Sequence, residues 1–169
     1  MARALVKDLL FVSKSPKERL DYLAAGASLV ARTGLDVRKL RAKAAADRLV
    51  LASAMLKEAR ALHAGQSLRR TVVGRAYYAM YHAIRAATFL SYGGDDHEQH
   101  TVLPSKLPLD FPDRNRWQNA LKNARLERNR ADYDPYPRRD DEFQKCADTM
   151  LVEAIDLVAV ARKYVRAKS

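Results

Sequence analysis

The stretch GRAYYAMYHAIRAATFL, residues 74–90, decides the fold of this 169-residue chain. Around it Val73, Tyr77, Met80, Tyr81, Ile84 and Thr88 recur at steps of three and four, the spacing of one face of an α-helix. No charge interrupts that face, so the spacing predicts a helix with one side in a core. A second stripe on the same segment is polar. Arg75, Tyr78, His82 and Arg85 follow the same steps, and each can bind a phosphate oxygen. Such a helix forms either one wall of a polyanion site or the solvated flank of a basic protein.

The flanks extend the helical reading. Ser67 is placed to cap this helix over 68–92, and YGGDD closes it. Upstream, Asp36 is placed to cap a helix over 37–63. Ser15 and Glu18 of SPKE mark the start of a shorter one, to about Arg32. Downstream, 93–112 has Gly, Pro and His without a sustained period and reads as a loop. Asp113 opens a helix over 114–132, with Trp117, Leu121 and Ala124 on one face and Arg128 continuing it. Asp134 and Tyr136 each precede a proline, which ends that helix. A last helix from Asp140 or Asp141 to about Ala167 carries an apolar stripe from Phe143 to Val165. No segment alternates as a strand does. The expected fold is all-α, an antiparallel up-and-down bundle of four to five helices over 37–169, with an extension over 1–36 that holds one short helix.

Composition bounds the function. Thirty-one Lys and Arg face twenty Asp and Glu, giving a formal charge of +11, which makes RNA or DNA a plausible partner. The one cysteine, Cys146, has no partner for a disulfide or a cysteine metal site and reads as a structural thiol. Lys7 and Asp8 break the apolar start of the chain, and no run reaches the ~20 apolar residues of a membrane span, so a cytoplasmic protein without membrane association is expected. No phosphate-binding loop, dinucleotide turn or HExxH is present, and no cofactor is implied. DDHEQH, residues 95–100, reads as a polar loop in preference to a metal site, because it lacks a rigid frame.

The second informative stretch is ARLERNRADYDPYP, residues 124–137. On a helix Arg125, Asn129 and Asp132 share a side, and Arg128 reaches Asp132 at the i, i+4 step. The spacing fits an intrahelical ion pair as well as it fits an Arg128–Asn129 pair that projects into a cleft and binds phosphate.

Together AYYAMYHA (76–83) and RNRADYD (128–134) resemble the HEPN superfamily, in order and in their separation by a loop. The resemblance covers about residues 38–166. It implies a four- or five-helix bundle that forms a homodimer. Many such proteins are metal-independent endoribonucleases of toxin–antitoxin or phage-defence systems. Others are inactive, or pair with a minimal nucleotidyltransferase antitoxin. The family signature is an Arg followed, after four to six residues, by a His. Arg128 and Asn129 match its start, but Asp132 and Tyr133 stand where the histidine belongs, and no histidine follows Arg128. A general base must take the 2′-hydroxyl proton before that oxygen attacks the phosphate, and its loss typically costs about 10²–10⁴ in rate. The expectation is an RNA- or nucleotide-phosphate-binding dimer with a degenerate motif. The alternative is an active ribonuclease in which Asp132, Tyr133 or His82 replaces the missing base beside Arg128. The binding set is then Arg75, Tyr78, His82, Arg85 and Arg125, with no metal.

Overall fold

The computed structural model describes residues 2–65, 67–95 and 97–168, and the chain divides into two compact units at Leu40/Arg41. The first unit holds two helices, α1 (Ala2–Ser13) and α2 (Lys17–Thr33), where the sequence reading expected one. Leu5, Leu9 and Val12 already have helical spacing ahead of SPKE, and this supports the extra helix. Ser15 does not cap α2. Its hydroxyl donates back to the Phe11 carbonyl at 2.8 Å and so closes α1. Helix α2 ends at Gly34, whose φ of 66° suits glycine, with its N–H on the Val30 carbonyl. No residue of α2 is buried.

The second unit carries α3 (Val37–Ala64, which begins just before the division), α4 (Arg69–Tyr92), α5 (Arg114–Tyr133) and α6 (Gln144–Lys168). Single 3-10 turns at Leu103–Lys106 and Asp140–Phe143 precede α5 and α6, and no strand occurs among the described residues. Asp36 caps α3 as expected, its carboxylate accepting the Lys39 N–H at 2.7 Å.

Side-chain pairs fix the topology. Arg41 reaches the Gly93 carbonyl while Arg75 meets Glu58, so α3 and α4 run antiparallel. Tyr78–Arg128 and Arg70–Ala131 make α4 and α5 antiparallel. His63–Asp148 and Ser53–Arg162 do the same for α3 and α6. Helices α4 and α6 are therefore parallel, and they form the close central pair, with α3 and α5 on their flanks. The four helices form the up-and-down bundle that the periodicity predicted.

Helix α4 is the hub. Val72, Val73, Tyr77, Met80 and Ile84 are all at most 1% exposed, against Trp117 of α5 and Leu157 of α6. Burying each such side chain contributes roughly 1.5–3 kcal/mol. Small residues between them, Ala76, Ala79, Ala83, Ala86 and Ala87, let the neighbouring helices approach. Ser67 does not supply the cap for α4. The chain enters the helix through Leu68 in the left-handed region, φ 59°, and the first two amides go to Asp140 instead. Its carboxylate accepts the Arg69 N–H at 2.6 Å and the Arg70 N–H at 3.0 Å. Asp113 likewise occupies the cap position of α5 without making a side-chain cap bond.

Candidate functional site

The site forms where α4 and α5 cross. Gly74 faces Asp132 there: a β-carbon on Gly74 would lie 3.7 Å from Asp132 Oδ1, so the helices approach closely. Beside this crossing opens a cleft of about 380 Å³ lined by Arg70, Thr71, Gly74, Arg75, Tyr78 and Asp132.

Arg128 is the hinge of the arrangement. Its guanidinium donates to the Tyr78 hydroxyl and to Asn129 Oδ1 at 3.0 Å, and forms an ion pair with Asp132, Nε lying 3.0 Å from Oδ2. Its side chain is 14% exposed. Burial works against its charge, but the Tyr78 bond and the Asp132 carboxylate outweigh that, and its pKa is raised. Arg128 stays cationic at any ordinary pH. Its Cζ also lies 5.2 Å from the Tyr78 ring and 5.6 Å from the exposed Tyr133 ring, within cation–π range.

Beside Tyr78 on α4, Tyr77 and Tyr81 hold the loop that follows the helix. The buried Tyr77 hydroxyl sits 2.5 Å from His100 Nδ1, and Tyr81 donates to the Glu98 carbonyl. The His100 ring stacks on Tyr81 with centroids 4.3 Å apart. Arg85 lies over the Tyr81 ring of this stack, its Cζ 5.2 Å from the centroid, and it is 3.7 Å from Glu98. Burial, then the charges of Arg128, Arg85 and Arg125, hold the His100 pKa below its ordinary value of 6.5. His100 is therefore neutral at pH 7. The Tyr77 hydroxyl is held protonated by burial, which raises its pKa. When the neutral imidazole carries its proton on Nδ1, that proton goes to the Tyr77 oxygen and Nε2 keeps its lone pair.

The sequence-derived residues are thus largely brought together. Arg128, Asn129, Asp132 and Tyr133 share the end of α5, and Tyr78 joins them across the seam. Arg125 and Arg85 act electrostatically on His100. His82 packs its ring against Tyr78 and Tyr81, at 6.3 and 5.2 Å. Arg75 lines the cleft but turns its guanidinium to Glu58 on α3 at 3.1 Å. Asp132 faces Arg128 directly as its ion-pair partner, Oδ2 3.0 Å from Nε.

Two residues of the candidate site escaped the sequence reading. His100 stands 28 positions before Arg128 in a segment without periodicity, so no local spacing connects the two. Arg70 is the other. Its guanidinium donates to the carbonyls of Ala131 at 2.8 Å, Asp134 at 2.9 Å and Pro137, and lies 4.4 Å above the Phe143 ring. It satisfies the carbonyls that the end of α5 leaves open and so fixes the last turn that carries Asp132 and Tyr133.

The DDHEQH segment is pulled apart. Asp95 accepts the His97 N–H at 2.9 Å, His100 goes to the tyrosines, and Asp96 lies outside the described residues. Among the described residues no group of three His, Cys, Asp or Glu gathers to hold a metal ion. No described helix is long and apolar enough to cross a membrane. Comparison with protein-family models, with curated proteins and with solved structures returned no match.

Proposed function

We propose that this chain is a HEPN-like bundle whose α4–α5 site binds the phosphate backbone of RNA or the phosphate of a nucleotide. The observation that carries the reading is the convergence of Arg128, Arg125 and Arg85 on a tyrosine–histidine cluster beside an open cleft. The +11 charge of the chain supports it, because a polyanion gains from the whole field as well as from the site. Arg128 is held by Tyr78, Asn129 and Asp132 in one orientation, so it loses little freedom when a phosphate oxygen arrives. Fluorescence anisotropy with a labelled single-stranded RNA tests this. Binding that engages three phosphates weakens with salt at a log–log slope of about −2, and Arg128→Ala flattens the slope by about 0.7. Salt-independent binding, or no binding at low salt, overturns the reading.

A second reading is favoured by one observation, the neutral His100 beside Arg128 and Arg125. His100 is a better candidate base than Asp132, Tyr133 or His82. Nε2 takes the 2′-hydroxyl proton, O2′ attacks the adjacent phosphorus, the bond from phosphorus to O5′ breaks, and O5′ takes a proton from water. A 2′,3′-cyclic phosphate and a 5′-hydroxyl end result, while Arg128 stabilises the charge on the phosphoryl oxygens. Cleavage in the presence of a chelator that His100→Ala abolishes, with binding retained, supports this reading. Binding without cleavage by the wild-type chain leaves the first. The resemblance also supports a homodimer and a minimal nucleotidyltransferase antitoxin as partner in a toxin–antitoxin or defence system. Sedimentation that finds only monomer at micromolar concentration counts against the dimer.

A further inference from the structure

On the side of the bundle formed by α3 and α6 lies an open trough of about 570 Å³. Ala42, Ala46, Leu49 and Ser53 line one bank of it, at steps of four, three and four along α3. They span about 16 Å of helix at 1.5 Å per residue, close to three turns. Val165 continues the apolar floor from α6, and Val50, 67% exposed, stands at the edge. The trough exists because alanines occupy Ala42 and Ala46, where larger side chains would close the seam. Its rim is cationic. Arg162 and Arg166 stand on the α6 bank and Lys43 on the α3 bank. Arg162 donates to the Ser53 hydroxyl at 2.8 Å, and Lys43 is paired with Asp47 at 3.0 Å.

We infer that this trough receives an acidic amphipathic helix of another protein. The length and the helical step of the α3 bank fit a helix laid along it, whose apolar residues at i, i+3, i+4 and i+7 would meet the floor. The two guanidiniums of Arg162 and Arg166 at the rim then face its carboxylates, which selects an acidic helix over a basic one. The trough is separate from the α4–α5 site and does not depend on the function proposed for that site.

The test uses the full chain and two fluorescent 18-residue helical probe peptides. Both carry leucines at i, i+3, i+4 and i+7, one with glutamates at the remaining positions and the other with lysines. The expected result is saturable binding of the acidic probe and none of the basic one. Ala46→Glu places a carboxylate in the exposed floor, and Arg162→Glu/Arg166→Glu reverses the rim. Each is expected to weaken the acidic probe about tenfold or more, with unchanged circular dichroism and melting temperature. A variant that fails this folding check is replaced by the milder Arg166→Gln, for which a several-fold loss is expected. Failure of the acidic probe to bind overturns the proposal. So does equal binding by wild type and variants, or self-association of the chain that Ala46→Glu abolishes.

Discussion

Replacing Asp140 with alanine removes the cap of α4 from a position 71 residues away in sequence. The carboxylate accepts the Arg69 and Arg70 amides at 2.6 and 3.0 Å, on the helix that gives the core more residues than any other. Losing a side-chain cap costs about 0.5–2 kcal/mol, and losing a negative charge at a helix N-terminus about 0.3–1 kcal/mol more. The expected destabilisation is about 2 kcal/mol. Unfolding entropy of roughly 2.1 cal/mol/K per residue gives about 0.35 kcal/mol/K for a chain of this length, so Tm should fall by about 6 °C. Asp140→Asn keeps one acceptor and should lose about half as much. The internal control is Ser67→Ala, the cap that sequence alone would choose, which should stay within about 0.5 kcal/mol of wild type. Urea titrations of the three variants, with a calorimetric scan of each, make the comparison. A Ser67→Ala cost equal to that of Asp140→Ala, or an Asp140→Ala cost under 0.5 kcal/mol, would refute the assignment of the cap.

Leu68 enters α4 at φ 59° and is 54% exposed. Leu68→Gly should therefore stabilise the chain by up to about 1 kcal/mol through relief of strain, offset in part by unfolded-state entropy; a loss of more than 1 kcal/mol by chemical denaturation would contradict this. Burial and the neighbouring Glu127 carboxylate push the Cys146 thiol up to about 12. Its reaction with a disulfide reagent at pH 8 should be about a thousandfold slower in the folded protein than in denaturant, and equal rates would show an accessible thiolate. The His100 pKa lies lower in the folded chain than in the unfolded one, so between that depressed value and 6.5 the unfolded state binds more protons. The stability this contributes is complete above pH 6.5 and is lost as pH falls through the folded value. His100→Gln should make the acid limb of the stability profile shallower, which denaturant melts at successive pH values would detect.

The bundle and most of its helix boundaries were legible because helical periodicity is local. Val73, Tyr77, Met80 and Ile84 need only their own spacing to announce a buried face, and the prolines after Asp134 and Tyr136 end α5 without outside help. Arg128 and Asp132 could be paired from the i, i+4 step alone. What the sequence left open are the places where a polar group finds its partner across the fold. Two amides of α4 choose Asp140 over the adjacent Ser67, because the 3-10 turn before α6 holds a carboxylate at the start of α4. Arg70 reaches the end of α5 because the two helices are antiparallel. His100 belongs to an aperiodic loop, and the buried Tyr77 and Tyr81 near the middle of α4 hold it among the arginines. Apolar faces are encoded by neighbours along the chain and can be read there. Satisfaction of buried donors, acceptors and charges depends on which elements pack together, and for the α4–α5 site only the tertiary structure decided it.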